Sequence, residues 1–278
     1  MDKKGFLNLF KNDDEQIIVK LWEDIELAQS MDYFIETDIF YPPNIWSVLE
    51  KTNINGMRFL VSGLNETSEK KNIIIVPKDF QGENPEFQLI FFKIDGTNRF
   101  KELLHKDFLG TIMSLGIKRE ILGDLIVKEN IAYGVILKEK FDLIKNLEKV
   151  SNIPVKIFEI SKDEVPKGEF KEILITVPSI RLDSIIGEIA NTSRQKSVSL
   201  IEEGLVMVNY NIQKSKSLDL KEGDVITIKK VGKFIFENIV GENKKGKITN
   251  KNLKKYQKNL KNIKKTIGIV WFFWWNML

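Results

Sequence analysis

Between residues 178 and 240 two short helical patterns are followed directly by brief strand patterns separated by turns, and that order leaves few folds open. Ser179 can cap a helix whose Leu182, Ile185, Ile186 and Ile189 form one apolar stripe, with Arg181, Asp183 and Ser184 off it. Thr192 and Gln195 are spaced as a capping box for a second helix, whose Val198 and Ile201 lead to a terminating Gly204. Leu205 to Val208 then alternates like a strand, Asn209-Tyr210-Asn211 makes a turn, and Ile212 begins a partner strand. Glu222-Gly223-Asp224 is a second turn, feeding Val225 to Ile228.

The residues before this segment divide into two zones and a connector. Residues 1–70 read as mainly helical: Ile17, Ile18, Leu21, Trp22, Ile25, Leu27 and Ala28 follow helical spacing, and Tyr41-Pro42-Pro43-Asn44 ends one helical run and can start the next. Residues 71–158 alternate. Asn72 to Val76 (stopped by Pro77) and Phe87 to Phe92 suggest strands. Phe108, Leu109, Ile112, Met113 and Leu115 suggest a helix closed by Gly116. Asp124 to Val127 and Ile131 to Ile136 suggest two strands joined by Lys128-Glu129-Asn130. A helix is expected over Phe141 to Val150 and a short strand over Val155 to Phe158. Residues 159–177, with Pro166-Lys167-Gly168, read as a connector.

Composition narrows the chemistry. The 278 residues include no cysteine, which excludes disulfides and thiolate metal sites, and a single histidine, His105, which excludes His-rich centres. The formal charge of +4 is unevenly spread. Residues 1–170 carry an acidic excess of about six, whereas 241–265 holds roughly ten lysines against Glu242 alone. Such a basic end suits a polyanionic partner, or is a solvated tail. The opening Met1 to Phe6 meets Asp13, Asp14 and Glu15 before any apolar run, so no signal peptide is read and a cytoplasmic location is expected.

Arg181-Leu182-Asp183, Ser193-Arg194, Leu200-Ile201, Gly204, Val206 to Asn209, Lys214 and Gly223-Asp224 stand at offsets that resemble the S4 RNA-binding (αL-motif) domain. One departure is Tyr210, where the hairpin asparagine is usually followed by glycine. Arg181, Arg194, Lys196 and Lys214 can present charge to phosphates, while Ser193 and Gln195 offer neutral hydrogen bonds. Upstream, His105 to Val127 combines a polar cluster, a helix, a glycine stop, the basic pair Lys118-Arg119 and a Gly-Asp turn. With the S4-like segment behind it, the chain resembles the YlmH family of bacterial S4-domain proteins over most of residues 1–247.

That resemblance implies an α+β protein: a helical N-terminal part (1–70), an RRM-like α/β sandwich (71–158), a connector (159–177), an S4 domain (178–240) and a basic tail with an apolar end (241–278). It also implies ribosome association without catalysis, on rRNA or tRNA of the large subunit. The expected role is in quality control of stalled peptidyl-tRNA, with no cofactor and no DNA partner. Lys118 and Arg119 can touch phosphate, or can simply be neutralised by Glu120 and Asp124. His105 reads as a hydrogen-bonded structural residue rather than an acid–base catalyst. No aromatic stacking signature of the RRM kind is apparent.

Rival functions lack their parts. No nucleotide-binding synthetase half, Walker loop or zinc spacing occurs, and no pseudouridine-synthase domain or glycine-rich methyltransferase loop follows residue 240. An S4-containing RNA-modifying enzyme therefore stands as an alternative without a visible catalytic residue. The other alternative is a membrane-associated scaffold. Ile267 to Leu278 is apolar and carries three tryptophans behind lysines, yet it is shorter than the roughly twenty residues that span a bilayer.

Overall fold

The computed structural model describes residues 1–11, 13–97, 102–167, 170–241 and 266–272. The chain is an α+β protein of two compact units, which divide after Lys167. The lysine-rich stretch expected to form the tail, residues 242–265, lies outside the described residues, as do the final residues 273–278.

The first unit begins with helices α1 (Lys3–Leu9), α2 (Glu15–Met31) and α3 (Pro43–Lys51). Asp14 caps α2 by accepting from the backbone N–H of Gln16 at 2.9 Å, and Ile18, Leu21, Trp22, Ile25 and Ala28 are the buried stripe that the sequence spacing foretells. The region is not only helical. Strands β1 (Ile35–Glu36), β2 (Met57–Ser62) and β3 (Asn72–Pro77) form an antiparallel sheet in the order β1-β3-β2, and the helices pack on it. β3 is central and buried along its whole length, which is why it reads as one unbroken apolar run. The sequence gives it to the middle zone, but its partners are N-terminal. β2 is missed by the helical reading because Arg58 and Ser62 interrupt its apolar residues and four of its six residues are only partly buried.

The second layer of this unit is a strand–helix–strand–strand–turn–strand run: β4 (Leu89–Asp95), α4 (His105–Ser114), β5 (Leu122–Lys128), β6 (Ile131–Leu137) and, later, β9 (Lys156–Ile160). All pairings are antiparallel, in the order β5-β6-β4-β9, a split βαβ arrangement. Glu129 and Asn130 both have positive φ (52° and 64°), so the β5–β6 turn is a two-residue turn of the hairpin-favouring hand. The helix expected over Phe141 to Val150 does not form. A 3-10 turn over Lys138–Leu143 and a two-residue-strand hairpin, β7 (Lys149–Val150) with β8 (Ile153–Pro154), stand there instead. Ser151 and Asn152 at its tip adopt left-handed backbone (φ 46° and 67°), which makes the two-residue turn of the hairpin.

One face of this sheet, with Phe92, Ile94, Ala132 and Ile136, packs on Phe108 and Ile112 of α4. The other face is divided. At one end Phe91, Val135, Leu137 and Ile160 cluster with Phe40, Leu64 and Val165. Gly123 makes that approach possible: a Cβ there would lie 2.5 Å from Val135 Cγ1 and 3.0 Å from the Phe40 ring.

Asp124 ties the two layers together. Its carboxylate is 4% exposed and accepts the backbone N–H groups of Glu69 (2.6 Å) and Lys70 (3.2 Å) from the β2–β3 connection. Burial, helped by the Glu69 charge, pushes its pKa up to about 6 against these hydrogen bonds and the Arg119 charge. Lys70, buried beside Arg119, is pushed down to about 8.

The second unit contains β10 (Phe170–Ile175), α5 (Leu182–Ile189), α6 (Arg194–Glu202), β11 (Val206–Val208), β12 (Asn211–Ile212), β13 (Val225–Ile228), β14 (Gly232–Gly241) and β15 (Thr266–Phe272). The sheet order is β10-β15-β14-β13-β11-β12, all antiparallel. Leu182, Ile185 and Ile186 of α5 and Ile201 of α6 share a core with Val206, Ile226 and Phe234. Both helices start later than the sequence suggests. Arg181, not Ser179, is the N-cap of α5, and Ser193, not Thr192, caps α6 by accepting from the Lys196 N–H at 3.2 Å. Ser179 is instead paired through its hydroxyl with Ser184 at 3.1 Å. The β11–β12 turn keeps its left-handed pair without glycine: Asn209 and Tyr210 have φ 49° and 64°. The Tyr210 hydroxyl accepts from Lys233 Nζ at 2.8 Å, which offsets part of that strain. Among the described residues no helix is long and apolar enough to cross a membrane.

A buried aspartate with a raised pKa favours the fold most when protonated, so its contribution is fully present below about pH 4 and lost as pH rises through about 6. Urea unfolding of wild type and Asp124→Asn across that window is the measurement. Relative to the variant, the wild type should lose on the order of 2–3 kcal/mol from pH 4 to pH 7. Parallel pH profiles would show that Asp124 is not the group responsible.

Candidate nucleic-acid interface

In the second unit two of the expected contact residues, Arg181 and Arg194, meet on one carboxylate. Asp183, in the first turn of α5, is 1% exposed. It accepts two hydrogen bonds from Arg181 (Nε to Oδ1 and Nη2 to Oδ2, both 3.1 Å) and two from Arg194 (Nε at 3.1 Å and Nη2 at 3.0 Å, both to Oδ2). A fifth comes from the Ser184 N–H at 3.0 Å. Burial works to raise the Asp183 pKa, but the hydrogen bonds and charges of Arg181 and Arg194 outweigh it and hold the carboxyl below its usual range. Asp183 in turn raises the Arg181 pKa.

The result is a fork of fixed geometry carrying two positive charges and one buried negative charge. The Arg194 side chain is 69% exposed and that of Arg181 34%, so both keep guanidinium edges turned to solvent. That presentation suits a phosphate, which a planar guanidinium binds in a bidentate manner. Ser193, Gln195 and Lys196 are exposed at the start of α6 beside Arg194. Lys214 is exposed in the loop after β12 that runs back toward α5. That segment is pinned to the first turn of α5 by Leu182 N–H to Leu218 O (2.8 Å), Asp183 N–H to Lys216 O (3.2 Å) and Leu220 N–H to Ile180 O (3.1 Å).

Two site residues proposed by the sequence lie in the other unit. Lys118 is exposed just before the 3-10 turn Arg119–Ile121. Arg119 differs: it is half-buried and donates Nη1 to the carbonyls of Leu122 (2.7 Å) and Gly123 (3.0 Å). Its cation is engaged by the chain itself, a structural use that the neutralisation reading of the basic pair anticipates in kind but with backbone as the partner. His105, half-buried near Arg119 and hydrogen-bonded to the Leu125 backbone, is held below its ordinary pKa by burial. Among the described residues no group of three His, Asp or Glu side chains could hold a metal ion.

A family model described as "Putative RNA-binding domain in YlmH" matches residues 82–164, the span from just before β4 to the 3-10 turn Lys162–Glu164. The chain is 27% identical over 253 residues to the Ribosome-associated protein quality control protein P2 of Bacillus subtilis, covering 86% of this chain and 94% of that protein. The chain is similar to the YlmH family. A solved structure, Cell division protein ylmH from Streptococcus pneumoniae, is 28% identical, covers 55% of this chain and 94% of its own, and superposes with a TM-score of 0.44. The matched domain and the arginine fork sit in different compact units.

The partner that sequence reasoning under-weighted is Asp183. The sequence marks it only as a polar residue off the apolar stripe and as one position of the S4-like pattern, yet it organises both arginines. Asp183→Ala removes the acceptor of five hydrogen bonds. It should destabilise the second unit by about 2 kcal/mol in urea unfolding, less than for a fully buried ion pair because both arginines can regain water.

Proposed function

We propose that this protein is a non-enzymatic RNA-binding factor that associates with the ribosome, and that its second unit is an S4 domain gripping structured RNA. The observation that carries the reading is the Arg181–Asp183–Arg194 fork, flanked by exposed Lys196 and Lys214. Cations held on a buried carboxylate lose little side-chain freedom on meeting a phosphate, so a small face can bind the regular backbone of an RNA helix. Ser193 and Gln195 add neutral donors and acceptors at the same helix start. Lys118, exposed in the first unit, belongs to the proposed contacts, while Arg119 supports the fold around it.

Likeness to the YlmH family and to a Bacillus subtilis protein named for ribosome-associated quality control supports the ribosome as the site of action. The finer reading is attachment to rRNA or tRNA on the large subunit that retains stalled peptidyl-tRNA. In this reading the protein acts as an adaptor in the cytoplasm, needs no cofactor, and takes neither DNA nor membrane as partner.

Reversing both arginine charges would strand the buried Asp183 and confuse binding with folding. Arg194→Gln combined with Lys196→Gln and Lys214→Gln leaves Arg181 on Asp183 and is the cleaner variant. It should lose co-sedimentation with large ribosomal subunits while melting like the wild type; unchanged co-sedimentation would sink the assignment. For an RNA hairpin, four phosphate contacts predict that log affinity of the wild type falls against log salt with a slope of about −3. The triple variant should flatten that slope to about −1.

A further inference from the structure

At the C-terminal end of α2 the first unit leaves large apolar side chains in solvent. Leu27 and Met31, one turn apart on the same helix face, are 45% and 58% exposed, and Tyr33 is 48% exposed. Asp32 ends the helix in left-handed backbone, and the Tyr33 N–H returns to the Ala28 carbonyl at 3.3 Å. That closing bond folds the chain back over the last helical turns, so Tyr33 is carried toward Leu27. The Tyr33 ring stacks on Phe34 with centroids 4.4 Å apart, and Phe80 meets both rings edge-on at 5.5 and 5.9 Å. Gly82 lets the chain lie against Phe80, since a Cβ there would be 2.5 Å from the ring. Phe34 and Phe80 are half-buried, so they brace Tyr33 as the outermost ring of a fixed platform.

The charge around this platform has one sign. Residues 23–38 and 78–88 hold nine carboxylates against Lys78 alone, and Lys78 is engaged with Asn53 Oδ1 at 2.9 Å. Glu23, Glu26, Asp32 and Asp79 are exposed, and among the described residues no ion pair holds any of them. The helix adds to the same field. A helix C-terminus carries about half a negative charge and favours a lysine or arginine in its last turn, yet α2 has none there.

RNA is repelled by such a surface, so it is no second nucleic-acid contact. A purely apolar partner would bury carboxylates without pairing them. What fits is a protein segment that brings lysine or arginine together with apolar side chains. A cation can rest on the Tyr33 ring within reach of the helix terminus while aliphatic groups cover Leu27 and Met31. These few side chains fall short of a standard interface of about 800 Å² per partner and suit a short segment rather than a whole domain.

The geometry points to a docking site for a lysine- or arginine-rich segment of another protein on the Leu27–Met31–Tyr33 face at the end of α2. The site lies outside residues 82–164 and outside the second unit, and it does not rest on the RNA-binding reading. It gives the chain a hold on protein besides its hold on nucleic acid.

The test uses the full chain and two labelled peptides of equal length and charge, one repeating arginine–leucine and the other arginine–glycine, followed by fluorescence anisotropy. Tyr33→Ala should weaken arginine–leucine binding about ten-fold, and Tyr33→Phe should preserve it. Leu27→Gln with Met31→Gln, both at exposed positions, should reduce that binding to the level of the arginine–glycine peptide. Glu23→Gln with Glu26→Gln should weaken both peptides about three-fold at low salt and little at high salt. Circular dichroism melts confirm that the variants are folded. The inference is overturned if wild type binds the two peptides equally, or if the folded Tyr33→Ala and Leu27→Gln/Met31→Gln variants bind as wild type does, because only unspecific charge attraction would remain. It is also overturned if the full chain alone sediments as a dimer that Leu27→Gln/Met31→Gln dissociates, since the face would then belong to a second copy. A wild type that takes the arginine–leucine peptide in preference but no RNA hairpin supports this site and sinks only the structured-RNA reading of the second unit.

Discussion

A single carboxylate, that of Asp183, determines what the second unit can offer a partner. It sits beneath the surface with five donors directed at it, so the two guanidinium groups above it are aimed rather than merely present. Desolvating an acid is expensive, and it is tolerated here because every oxygen is satisfied and two cations neutralise it. The same contact couples the starts of α5 and α6, eleven positions apart, and leaves the loop carrying Lys214 anchored alongside through Lys216, Leu218 and Leu220.

Asp124 in the first unit is an instructive contrast. It is nearly as buried, but its donors are two backbone N–H groups and the nearby Arg119 donates to carbonyls instead. Without a salt-bridged partner its carboxyl is pushed up, whereas that of Asp183 is held down. One aspartate therefore works as a joint between layers and holds best when it is protonated. The other must stay ionised, because its charge is what holds two cations in place.

How much of this was legible depended on the range of the interaction. Helical stripes such as Ile18 to Ala28, and the glycine-free turn at Asn209-Tyr210, are local, and the sequence pattern anticipates them. Helix starts are also local, yet Ser179 misled because its hydroxyl found Ser184 rather than a backbone N–H. Phe141 to Val150 misled for a related reason: its apolar spacing suits a helix, but Ser151-Asn152 turns the chain into a hairpin whose Val150 and Ile153 fill the core under α4. The arginines were recognisable by type and offset. The carboxylate of Asp183 was recognisable in the same way, but its role in positioning both was not, since its bond to Arg194 joins residues that meet only after folding.

The divided sheet face has a further consequence for how the chain can be cut. Phe40 and Leu64 lie outside residues 82–164, yet they cover Phe91, Val135 and Leu137 within that span. The stretch recognisable by descent is thus smaller than the stretch that folds. Excised alone, it would present a greasy flank where its roof had been, and Asp124 would lose the two amides that satisfy it. Inheritance and autonomy have different borders in this protein, and the second is set by the glycine at position 123 that lets the roof come down.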